Sequence, residues 1–174
     1  MTDVTACHFR MSLLAWLVGL LLPACAATGA HGIPQPPLQD ISRLERPASP
    51  NTALAAPAGF LPRPDIVTPV YKLAAGRLLA AVEQVAQAQP RTFLAADYRQ
   101  ALQMHWVVRS AVFNFPDLIM AQVIPHGAGH SELLLYSRSL YGYGDFGVNR
   151  RRLTVWLAAL DVRGRPSVES ASPR

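Results

Sequence analysis

Cysteine is almost missing from this sequence: 174 residues hold two, Cys7 and Cys25, both near the N-terminus. The remainder therefore has no disulfide framework and no cysteine-based zinc site, and must hold together by packing. Lysine is rarer still. Of 16 basic residues, Lys72 alone is a lysine, and the rest are arginines. The net charge is +5, yet the only dense basic run is Arg150-Arg151-Arg152. A nucleic-acid interface would cluster basic and aromatic residues along one face, so no nucleic-acid partner is expected. A long apolar run is also lacking. The longest, Met11–Leu22, falls short of the ~20 residues that span a bilayer as a helix.

That run, preceded by His8 and Arg10, has the form of an export signal's apolar core, and residues 1–24 are assigned to an export signal of lipoprotein type. Leu22-Pro23-Ala24-Cys25-Ala26 follows and resembles the lipobox of bacterial lipoproteins, in which the cysteine is acylated and becomes the new N-terminus. Cys25 is thus the expected lipidation site, and the lipid anchor makes the membrane an expected partner. Ala26 after the cysteine, by the same resemblance, points to the outer membrane. Ordinary cleavage at a small-residue site, releasing a soluble periplasmic protein, and an uncleaved short anchor are the competing readings.

Prolines at 34, 36, 37, 47, 50, 57, 62 and 64 sit among alanine, glycine and serine. Residues 25–64 accordingly read as a Pro/Ala-rich tether that lifts a domain clear of a membrane. The domain is expected over 65–162. Thr68-Pro69 looks like the cap and first position of a helix that carries Val70, Ala74, Leu78, Val82 and Val85 to Pro90. Thr92–Ala96 looks extended. Leu102–Val108 alternates, with Leu102, Met104, Trp106 and Val108 on one face and Gln103 and His105 on a polar one. Leu118–Ile124 and Glu132–Leu140, joined by the turn-forming 125–130, form an antiparallel hairpin. A helix from Val148 to Leu160 places Leu153, Trp156, Leu157 and Leu160 on one stripe, with Trp156 against Met104 and Trp106. Residues 163–174 read as a disordered tail. The expected fold is α+β: an antiparallel sheet of about four strands, with an N-terminal and a C-terminal helix packed on it.

Ser137-Arg-Ser-Leu-Tyr-Gly-Tyr-Gly-Asp-Phe-Gly-Val-Asn-Arg-Arg-Arg152 resembles the signature of the bacterial family catalogued as domain of unknown function 1499. Gly142, Asp145, Gly147, Asn149 and Arg152 fall on that signature in register. Phe115-Pro-Asp117 and Ser49-Pro-Asn51 resemble two of its upstream segments. The chain departs from the pattern at Tyr136 and Leu140, with an arginine at Arg138, and at Thr52 where the family has cysteine. The resemblance implies no reaction.

Gly142-Tyr-Gly144-Asp-Phe-Gly147 fits a dinucleotide-binding pattern, but no parallel strand and acidic residue can follow it in so short a tail. Its glycines suit a strand-to-helix turn, with Asp145 capping the helix. Arg150, Arg151 and Arg152 then occupy the helix's first turn, where the macrodipole disfavours cations. Asp145, Asp117 or Glu132 would pair with them internally, or a small anionic ligand would sit there. His126 and His130 are read as solvated loop residues, and Ser137 and Ser139 as facing opposite ways. No catalytic residue, metal or cofactor is assigned. The leading reading is a non-catalytic cell-envelope module that binds an envelope protein or small anion through Gly142, Asp145, Gly147, Asn149, Arg150 and Arg152. The alternative is a hydrolase of an anionic envelope substrate, with Asp145 and the arginines as its polar centre.

Overall fold

The computed structural model of the chain describes residues 29–164, with side chains through Asp161. The export segment 1–24, Cys25 and residues 165–174 lie outside the described residues. In chain order the elements are β1 (Thr52–Pro57), β2 (Ile66–Thr68), α1 (Ala75–Ala88), β3 (Thr92–Tyr98), β4 (Gln103–Arg109), β5 (Pro116–Pro125), β6 (Ser131–Ser139) and α2 (Val148–Gly164). They make an α+β fold around one sheet of six strands, ordered β2-β1-β6-β5-β4-β3.

The long antiparallel strands follow from side-chain alternation. Met104, Trp106, Ile119, Ala121, Leu133 and Leu135 project to one face and are all buried there. Both helices pack on that face, α1 through Leu78, Val82 and Val85 and α2 through Leu153, Trp156 and Leu160. Trp156 meets Trp106 edge to face, with centroids 5.7 Å apart. Such a pair contributes about 1 kcal/mol beyond the area it buries.

The sheet is larger than the expected four antiparallel strands, and it is mixed: β1 pairs parallel with β2 and antiparallel with β6. β1 lies inside the stretch 25–64 that composition marks as a tether. Its sequence, Thr-Ala-Leu-Ala-Ala-Pro, is buried on both faces after its first residue. Strands covered on both sides show no polar alternation, and alanines carry no β signature of their own. Thr68, expected to cap a helix, instead ends β2 and donates its hydroxyl to the Leu133 carbonyl at 2.8 Å. The first helix begins at Ala75 without a side-chain cap and follows two strands, so it does not open the domain. α2 runs to Gly164, into the stretch expected as tail.

The other face of the sheet is closed by residues 29–49 and Phe60. Ile41, Leu44 and Phe60 pack on Leu54, Met120, Leu134 and Tyr136. The rest is held through backbone groups. Gln39 donates its N–H to Gln103 Oε1 at 2.8 Å and accepts from Gln103 Nε2 at 3.0 Å. Tyr98 donates to the Pro36 carbonyl at 2.8 Å. Arg109 donates to the carbonyls of Gly29 at 2.8 Å and His31 at 2.9 Å. Gln103 and His105, the polar positions of β4, are thereby buried rather than solvated.

Candidate functional site

The signature residues gather where β6 ends and α2 begins. Gly142 and Gly147 have φ of +87° and +74°, a region costly to side-chain-bearing residues, so the turn favours glycine at both points. Asp145 caps the helix. Its Oδ1 accepts from the Gly147 N–H at 2.9 Å and its Oδ2 from the Asn149 N–H at 2.8 Å. A carboxylate thus occupies the positive end of the helix where an exogenous anion would otherwise bind.

Asn149 is fully buried and links three parts of the chain. Its Nδ2 lies within donating distance of the Asn51 carbonyl (2.9 Å), Ser139 Oγ (3.0 Å) and Asp145 Oδ2 (2.7 Å). Its Oδ1 accepts from Ser137 and, at 2.8 Å, from Arg152 Nη1. Arg152 Nη2 reaches Asp117 Oδ2 at 2.6 Å, in an ion pair whose side chains are 11% and 9% exposed. Asn51 closes the ring by donating to the Gly142 carbonyl at 2.7 Å and accepting from Ser49 at 2.8 Å. Buried polar groups so fully partnered rigidify a junction.

The sequence places Arg150, Arg151 and Arg152 together, and the structure separates their roles. Arg152 turns inward to Asp117. Among the described residues, the Arg150 side chain reaches the Asp65 carbonyl, at 3.4 Å, and Arg151 the Phe146 carbonyl, at 3.0 Å. Both side chains are exposed, and no carboxylate pairs with either among the described residues. Glu132, another considered partner, lies at the opposite end of the sheet beside His126, 3.4 Å away. Ser137 and Ser139 do not face opposite ways: residues two apart on a strand share a side, and both reach Asn149. Asn51 and the two serines are the members that residue-by-residue reading passed over. Period-two spacing would have paired the serines.

His105 is outside this cluster. Its Nε2 lies 2.8 Å from Gln103 Oε1, and its Nδ1 is buried without a partner. Burial, with a lesser contribution from the Arg138 charge, holds its pKa at about 4. Among the described residues no three His, Cys, Asp or Glu side chains gather to hold a metal ion. Two of the surface depressions among the described residues are the best formed. One, of 190 Å³, is lined by α1, Arg99, Leu102 and Met104. The other, of 280 Å³, lies between β2, Tyr71 and α2. Both fall below the ~300 Å³ at which small-molecule pockets begin, and neither is lined by a residue of the corner.

The chain is similar to a solution NMR structure from Thermobifida fusca, at 12% identity over 65% of this chain and 92% of that one, with a TM-score of 0.40. It is also similar to a crystal structure from Thermus thermophilus, at 9% identity over 65% and 96%, with a TM-score of 0.35. No curated protein matches the chain. Residues 44–160 match the family described as "Protein of unknown function (DUF1499)". That span holds β1 to β6 and most of α2, and the chain belongs to this family.

Proposed function

We propose that this domain is a non-catalytic binding or structural module of the bacterial cell envelope, anchored to the outer membrane by a lipid on Cys25. One observation carries the non-catalytic part: the polar groups of the corner serve one another. Asp145 uses both carboxylate oxygens on α2, and Arg152 is committed to Asp117 and Asn149. A hydrolase built on Asp145 and the arginines would need these groups directed toward substrate. Arg150 and Arg151 remain for an envelope protein or a small anion at this corner.

The test is the melting temperature of Arg152→Ala in phosphate-free buffer. Removing the arginine leaves Asp117 buried without its partner, so a loss of about 3 kcal/mol is expected, a large share of a small domain's stability. Added phosphate should not restore it. A gain in melting temperature, together with loss of stabilisation by phosphate, would mean that Arg152 waits for an anion and is not a lock. Fractionation of the native protein beside Cys25→Ala checks the anchor, which predicts much tighter membrane association for the first than for the second.

A further inference from the structure

Two loops carry side chains that the fold leaves bare. Between β4 and β5, Val112, Phe113 and Phe115 are 82%, 72% and 55% exposed, with the two rings stacked on each other. Between β6 and α2, Tyr141, Tyr143 and Phe146 are 63%, 77% and 97% exposed. Phe146 has a φ of +52°, a backbone region a non-glycine residue rarely adopts. The register puts these loops side by side. Arg109 pairs with Pro116, Asp117 pairs with Ser139, and the Leu140 N–H donates to the Pro116 carbonyl at 3.2 Å. Exposed apolar side chains grouped in this way mark a protein or membrane interaction surface.

We infer that this end of the sheet beds into the interface of an anionic phospholipid bilayer. Charge complementarity favours the membrane. Arg150 and Arg151 stand beside the aromatic loop without carboxylate partners among the described residues, and Asp145 and Asp117 are both turned inward. Tyrosine and phenylalanine sit well at the boundary of headgroup and acyl chain, with arginines held by lipid phosphates. The path of the N-terminal segment is an independent pointer. The Gly29 carbonyl is held by Arg109, the last residue of β4 and the first before the Val112–Phe115 loop. Cys25 is four residues upstream, within about 14 Å even when fully extended. On the reading that Cys25 is acylated, the lipid anchors the domain at the same end that carries the aromatic residues. The domain is then held down on the bilayer, not lifted away from it by a long tether.

Flotation with vesicles tests this without the acyl chain. Full-length Cys25→Ser is compared with the same chain also carrying Tyr143→Ser and Phe146→Ser, so that both keep one N-terminus and differ only in the loop. With vesicles containing phosphatidylglycerol, the loop changes should weaken partitioning roughly tenfold or more. Arg150→Gln with Arg151→Gln should weaken it by roughly fivefold per charge, an effect lost on phosphatidylcholine alone. His126→Ser with His130→Ser, at the opposite end of the sheet, should change nothing. Equal flotation of all these proteins would overturn the inference and leave the patch to a protein partner. Unchanged melting temperatures exclude misfolding as the cause of any loss. The mass of the mature wild-type N-terminus scores the anchor separately. An unmodified Cys25 with aromatic-dependent flotation sinks only the anchor, while a lipidated Cys25 with indifferent loops sinks only the docking surface.

Discussion

On one face of the sheet, α1 and α2 lay leucine, valine and tryptophan over a floor of the same residues. On the other, residues 29–49 have no helix longer than one turn, and they join the sheet through Gln103, Tyr98 and Arg109 bonded to main-chain groups. Both faces exclude water, but the energetics differ. The helix face depends on buried apolar area, which varies steeply with side-chain volume. The opposite face adds to a smaller apolar cluster, around Leu54, Met120 and Leu134, a set of hydrogen bonds, each of modest net value while made and costly when one member is left buried alone. Proline is compatible with the second arrangement, because a proline carbonyl accepts as well as any other, as Pro36 does from Tyr98.

Three measurements sharpen that contrast. Trp156→Ala, on the helix face, should cost about 3–5 kcal/mol and lower the denaturation midpoint by the largest amount of any substitution proposed for the two faces. An unchanged melting temperature would mean α2 contributes little to that core. His105, on the other face, should make stability depend on acid. Its folded pKa of about 4 lies below the ordinary 6.5. The unfolded chain therefore takes up a proton at a pH where the folded chain does not. The stability in question is present above pH 6.5 and lost as pH falls toward 4, by about 3 kcal/mol in all. Calorimetry from pH 7 to 5 should show the melting temperature declining in the wild type and staying flat in His105→Leu. Parallel declines would assign the acid sensitivity to other groups. The smallest change expected is for Tyr98→Phe, which removes the hydrogen bond to Pro36 and a long, exposed one from Gln35, and should cost about 1 kcal/mol by chemical denaturation. A loss as large as that of Trp156→Ala would put the N-terminal segment on a par with the helices.

The same contrast explains what the sequence discloses. β4 and α2 stand out because their apolar residues recur with the period of the element, and β5 and β6 because a turn-forming segment divides two apolar runs. The N-terminal cover does not, since a carbonyl bonded to Arg109 or Tyr98 leaves no mark on the identity of the residue that owns it. β1 is hidden for a related reason: alanines at 53, 55 and 56 let both covering layers approach closely, but in a list of residues they resemble the low-complexity stretch around them. Ser49-Pro-Asn51, one of the segments that resemble the family, falls inside the stretch composition assigns to a tether, and Asn51 proves to be a member of the polar ring. In the corner, Asp145 and the glycines are legible from turn chemistry. The partner of Arg152 is legible only as one of three acids, because Asp117 comes beside it through strand pairing.

Asn51 and Asn149 meet across 98 positions of chain, and β1 is inserted between β2 and β6. The first strand to leave the ribosome therefore cannot complete its pairing until the last strand has been made. Between the pairing of β6 with β5 and the docking of β1, β6, nine residues long with the apolar run Leu133–Tyr136 at its centre, is the open edge of a growing sheet, with a row of unpaired N–H and C=O groups available to any other strand. Contacts between parts so distant in sequence form slowly. The price of locking the two ends together through one asparagine is a vulnerable interval before the lock closes, during which the chain is more prone to join a neighbour than at any later time.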